Sequence, residues 1–118
     1  MKTSVNQKHV ETKVLAALQL HIGAKNGAHI NALVSEVFQQ PYRSGLARQI
    51  RTAIQALRND GHHICGTPKL GYYVAATPEE LESTCMFLQK RAVSTLTQVR
   101  AMRARPLLEL AGQARLPS

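Results

Sequence analysis

Tryptophan is absent from this 118-residue sequence, and aromatics are scarce altogether: three Tyr and two Phe, 4% of the chain. So few flat rings leave little on which to stack unpaired bases, which counts against RNA as the partner. Cysteine is limited to Cys65 and Cys85. Two are too few for a disulfide framework, and they stand at no zinc-site spacing. A reduced, cytoplasmic setting is therefore expected. No apolar run approaches the ~18 residues that span a bilayer. The opening MKTSVNQKHVETK holds no apolar stretch of the kind that makes a secretory signal. Neither an internal repeat nor a low-complexity segment is present. Acidic residues number only seven: Glu11, Glu36, Asp60, Glu79, Glu80, Glu82 and Glu109. None makes a catalytic carboxylate pair, and there is no nucleophile motif, phosphate loop or zinc-protease helix. A non-enzyme is expected, with no cofactor and no metal. His62 and His63 beside Cys65 do not alter this, because two ligands do not close a metal site.

What is present is positive charge and apolar bulk. Fifteen Lys and Arg against seven acids give a net charge of +8 and a pI near 10.1. Such a balance favours a polyanionic partner, most often nucleic acid. Hydrophobic residues make up 44%, enough for a real core. The length suits one small domain with one appended element.

Apolar residues at helical spacing (Val10, Val14, Leu15, Ala17, Leu18 and Ile22) predict a helix over 10–22. Gly23 and Asn26-Gly27 end it in a turn. A short extended stretch, 28–30, leads to Asn31 as the cap of a second helix over 32–38, with Leu33, Val34, Val37 and Phe38 on its apolar face. A loop through Pro41 follows, and Ser44 caps a third helix over 45–59. Leu46, Ile50, Ala53, Ile54 and Leu57 form its apolar stripe, and Gly61 ends it in a left-handed conformation. Residues 62–66 and 71–75 read as strands joined by Thr67-Pro68-Lys69-Leu70, a hairpin with a basic tip. Thr77 then caps a long helix to 104, with Pro78 in its first position and Glu79 and Glu80 suiting its dipole. The expected fold is mainly α with a small antiparallel β-hairpin: a winged helix-turn-helix plus a long C-terminal helix. The expected layout is a flexible N-terminus over 1–9, a DNA-binding domain over 10–76, a dimerisation helix over 77–104 and a weakly ordered tail over 105–118.

The chemistry is concentrated between residues 39 and 71. Arg43, Arg48, Arg51, Arg58 and Lys69 are opposed there only by Asp60. Opposite the apolar stripe of the third helix lie Arg48, Arg51, Thr52 and Gln55. Arg can donate two hydrogen bonds to guanine, and Gln can pair with adenine. Ser44 and Thr52 can serve phosphate or the thymine methyl, and open helix N-terminal amides favour phosphate. The bland alternative is a solvated basic face.

The segment 48–74, RQIRTAIQALRNDGHHICGTPKLGYYV, resembles the recognition helix and wing of the biotin-operon-repressor type of winged helix. Ile50, Ile54, Leu57, Arg58, Gly61, Ile64, Pro68, Gly71, Tyr72 and Val74 carry the resemblance, which covers about residues 10–76. Similar wings occur in response-regulator output domains. The resemblance implies that the third helix enters the major groove and that the wing touches the backbone. Leu46 and Ala47 stand where the family has a Ser-Arg pair. The leading contacts therefore fall to Arg48, Gln49, Arg51 and Thr52, with Arg43, Ser44, Gln55, Arg58 and Lys69 beside them. Ligase activity and biotin binding do not carry over, since nothing here resembles a ligase domain.

Along the last helix, Leu81, Cys85, Leu88, Ala92, Thr95, Val99 and Met102 are spaced 4, 3, 4, 3, 4, 3, and Phe87 and Leu96 widen the stripe. Leu81, Cys85, Leu88, Ala92, Leu96, Val99 and Met102 are the expected homodimer contacts. A two-fold dimer reads a pseudo-palindrome on double-stranded DNA. The leading expectation is a small cytoplasmic transcriptional regulator, of the repressor kind. Its rivals are a protein-interaction adaptor, with a protein partner on the same surface, and a DNA replication or recombination accessory factor.

Overall fold

The computed structural model describes residues 2–107. Its elements are α1 (Lys2–Leu18), a single 3-10 turn (Ala24–Asn26), α2 (Ile30–Phe38), α3 (Ser44–Asn59), β1 (Ile64–Thr67), β2 (Gly71–Val74) and α4 (Pro78–Ala104). The fold is mainly helical with one antiparallel hairpin and a long C-terminal helix, as expected. The chain divides into two units, Met1–Thr84 and Cys85–Ser118. No helix among the described residues is long and apolar enough to cross a membrane. The segment 108–118, most of the expected tail, lies outside the described residues.

The core of the first unit is built by three helices. Val10, Val14 and Leu18 of α1, Leu33, Val34 and Val37 of α2, and Leu46, Ala47, Ile50, Ala53, Ile54 and Leu57 of α3 are all buried in one cluster. In α3 these positions recur every three or four residues, so one face is wholly apolar and the helix must bury it. Burying a side chain the size of Ile50 or Ile54 contributes about 1.5–3 kcal/mol.

Helix α1 differs from expectation at both ends: it begins at Lys2 and stops at Leu18. It stops because the chain beyond it joins a sheet. The Val74 amide donates to the His21 carbonyl at 2.8 Å, and the Gly23 amide donates to the Val74 carbonyl at 2.8 Å. Gly23 turns the chain there at φ 92°, a conformation open to glycine. Next, Ala28 and Tyr72 exchange both backbone hydrogen bonds at 2.8 Å. The hairpin thus gains an extra edge from the α1–α2 connection, where the short extended stretch was expected.

The other boundaries shift by a residue or two. Helix α2 begins at Ile30, with His29 rather than Asn31 in the cap position. Ala28 is already committed to Tyr72, so the helix starts as soon as that pairing ends. In α3, Arg43 holds the cap position with extended backbone, and Ser44 is the first helical residue. Gly61 ends α3 at φ 96°, and the His62 amide closes the turn on the Leu57 carbonyl at 3.0 Å. That turn takes His62 and His63 out of β1, which begins at Ile64. Thr77 does cap α4: its Oγ1 accepts from the Glu80 amide at 3.2 Å.

Candidate nucleic-acid interface

Helix α3 presents two contrasting faces. Its buried side anchors it in the core, while Ser44, Gly45, Arg48, Gln49, Arg51, Thr52, Gln55 and Asn59 are exposed. At about 100° per residue, residues seven apart fall almost in line. Arg48 and Gln55 therefore share the outermost strip, and Arg51 lies beside it on the flank of Arg58. No acidic residue occurs within α3, and among the described residues neither Arg48 nor Arg51 is in an ion pair. Their guanidinium groups are held only by the helix, open to an anion from solution.

The first turn of α3 carries a feature that the expected Ser44 cap would have masked. No side chain caps this helix start, so its first amides lack a partner within the helix. Gly45 lies in this turn with nothing within 4 Å of where a Cβ would stand. Bare backbone, unpaired amides and the positive end of the helix dipole suit a phosphate oxygen. Gly45 was missed in the sequence; its signal is a glycine placed where glycine costs helix stability and no turn requires it. Arg43 stands just before this turn, its Nη2 donating to Gln40 Oε1 at 3.1 Å. Tyr42 beside it is 48% exposed.

Arg58 behaves differently from the other basic residues. It is half-buried, and its Nε donates to the Ile64 carbonyl of β1 at 2.7 Å. The guanidinium lies near Gly66, where the Tyr72 ring packs so closely that a Cβ would come within 2.7 Å of it. Arg58 thus ties the last turn of α3 to the hairpin. Its position on the basic flank is legible from helical periodicity; its use as a brace is not.

The hairpin pairs Ile64 with Val74, Cys65 with Tyr73, Gly66 with Tyr72 and Thr67 with Gly71. Residues 68–70 form its tip, closed by the Leu70 amide donating to Thr67 Oγ1 at 3.2 Å. Lys69 is exposed at this tip. Cys65 and Tyr73 face inward and are buried, and Cys65 Sγ contacts the Glu80 carbonyl at 3.6 Å. The hairpin is therefore held by Arg58 at its base, by Cys65 along β1 and by Ala28 beside its turn, with the Lys69 side chain exposed at the tip.

Of the expected site residues, Ser44, Arg48, Gln49, Arg51, Thr52 and Gln55 are gathered on one helix, with Arg43 at its start. Lys69 sits on the hairpin that Arg58 braces. Comparison with protein-family models, with curated proteins and with solved structures finds no match for this chain.

Proposed function

We propose that this chain is a sequence-specific double-stranded DNA-binding protein, a small transcriptional regulator that lays α3 in the major groove. The observation that carries the reading is the exposed, acid-free face of α3, with Arg48, Arg51, Thr52 and Gln55 projecting from a helix rigidly buried on its other side. Base edges in the major groove are read by side chains of this kind. Arg48, Gln49, Thr52 and Gln55 take the base-reading role. Arg51, Arg43 and the open first turn at Ser44 and Gly45 take phosphates. Lys69 at the hairpin tip meets the DNA backbone, and Arg58 holds helix and hairpin in register. Helix order, basic face and wing together also support the likeness to the biotin-operon-repressor winged helix. Two copies paired through α4 place two such helices on one duplex, so the site is an inverted repeat. The proposed role involves no catalytic step.

Selection from a random duplex library tests the reading, followed by affinity measurements at two salt concentrations. An enriched inverted repeat bound with a steep salt slope is the expected result. Enrichment of no motif, with binding lost near physiological salt, overturns it in favour of a protein-binding adaptor.

A further inference from the structure

We propose that α4 pairs with α4 of a second copy of this chain in antiparallel orientation. This deepens the homodimer reading above and does not depend on DNA binding.

The stripe along α4 is largely uncovered within the chain: Cys85 and Ala92 are exposed, as are Leu88 (36%), Leu96 (56%) and Met102 (65%). At heptad spacing, Cys85, Ala92 and Val99 form one set of seam positions, and Leu81, Leu88, Thr95 and Met102 form the other. In an antiparallel pair each layer sets a member of one set against a member of the other. Two registers do this for six of the seven positions, one leaving out Met102 and the other leaving out Leu81. We take the second, which covers Met102 and brings Glu82 near Arg103. Cys85 faces the second copy's Met102, Leu88 faces its Val99, and Ala92 faces its Thr95.

Charge chooses this orientation over the parallel one. The N-terminal end of α4 carries Glu79, Glu80 and Glu82, and the C-terminal end carries Arg100 and Arg103. Glu80 is occupied by the Ala24 and Ala76 amides, but Glu79 and Glu82 are exposed. A parallel pair brings acidic end to acidic end and basic end to basic end. In the antiparallel register Glu82 lies beside the second copy's Arg103, offset by only two residues, or about 3 Å along the axis. Two-fold symmetry makes the contact twice.

The test uses the full chain and its own thiols. Cys65 is fully buried, so Cys85 is the reactive cysteine. In the antiparallel register the two Cys85 residues lie 17 positions apart, or about 25 Å along the axis. The reduced protein is expected to sediment as a dimer. A short bifunctional maleimide then leaves the wild type unlinked, joins the chains of Met102→Cys, and fails again on Met102→Cys with Cys85→Ser. Efficient linking of the wild type through Cys85 shows a parallel pair and overturns the proposal, while leaving the homodimer standing. A monomer at every concentration overturns both. Charge reversal provides a second readout: Glu82→Arg or Arg103→Glu alone is expected to weaken the dimer roughly tenfold, and the double exchange to restore it. Unchanged dimers in both single variants refute the register. A library selection that returns no DNA motif leaves all these outcomes unaltered, so the two readings fail separately.

Discussion

Glu80 and Ala24, 56 residues apart in sequence, are joined by a 3.0 Å hydrogen bond from the Ala24 amide to the Glu80 carboxylate. The other carboxylate oxygen accepts from the Ala76 amide at 2.8 Å. One side chain at the start of α4 thereby ties down the turn after α1 and the end of the hairpin. These hydrogen bonds, Ala24 foremost, hold the Glu80 carboxyl below its ordinary value of 4.5. A depressed folded value adds stability above the unfolded value, and that stability is lost as pH falls through the folded one. Glu80→Gln is therefore expected to melt below wild type at neutral pH, with the gap closing in acid below 4.5. Paired thermal melts across pH check this; a gap that persists in strong acid refutes it.

His21 titrates in the opposite sense. Its Nε2 meets Glu36 Oε1 at 2.8 Å, and its Nδ1 meets the Asn26 carbonyl at 2.8 Å. Only the charged imidazole donates from both nitrogens. The Glu36 hydrogen bond chiefly, and Asn26 with it, raise the His21 pKa above 6.5 against the opposing effect of burial. The stabilisation is then full below 6.5 and vanishes as pH rises through the raised value. Glu36→Gln is expected to cost about 0.5–1 kcal/mol at mildly acidic pH and nothing at high pH. Denaturant titrations of both proteins across that range, with the His21 resonance followed by NMR, measure the effect.

Arg58 and Arg48 are expected to separate stability from binding. Arg58→Ala removes the bond to the Ile64 carbonyl and is expected to cost about 1–2 kcal/mol of stability. Arg48→Ala is expected to leave the melting temperature unchanged. On a selected site it costs about 1–3 kcal/mol and relaxes preference at one base. Equal loss on every DNA sequence demotes Arg48 to a phosphate contact.

Lys69 is exposed at the hairpin tip, so its effect is expected to be electrostatic. Lys69→Ala should weaken binding uniformly across sequences and lower the salt slope by about one. An unchanged slope takes the wing off the DNA.

Gly71 is expected to be intolerant of alanine. Its φ is 79°, and a Cβ would stand 2.7 Å from the Ala28 carbonyl. Gly71→Ala combines left-handed strain with a backbone clash, at a cost of about 2 kcal/mol or more. Urea unfolding reads the loss directly; a variant as stable as wild type refutes this account of the turn.

The legible parts of the fold were those where a local pattern repeats. The α3 stripe from Leu46 to Leu57 shows its period over about three turns, and Gly61 and Thr77 mark helix ends with residues whose own chemistry makes the turn or cap. Helix α1 was read short at its start because Asn6, Gln7, Lys8 and His9 carry little apolar signal. It was read long at its end because Ile22 falls on the helical period. In the structure Ile22 is 51% exposed and bridges Val74 instead. The exposed basic residues of α3, Arg48 and Arg51, were legible as a group. The separate task of Arg58 was not, because its partner is a backbone carbonyl whose position depends on the turn after α3.

By itself the sequence determined the helical character of the chain, the hairpin, the basic face of α3 and the heptad stripe of α4. All of these follow from spacing within one element, where residue order sets which side chains lie together. Only the tertiary structure decided that the α1–α2 connection would join β2, that Glu80 would bind Ala24, and that Arg58 would bond to the hairpin backbone. Each of these depends on a backbone amide or carbonyl left without a partner until distant segments meet. Every residue but proline carries those same groups, so the sequence alone does not say which of them will pair.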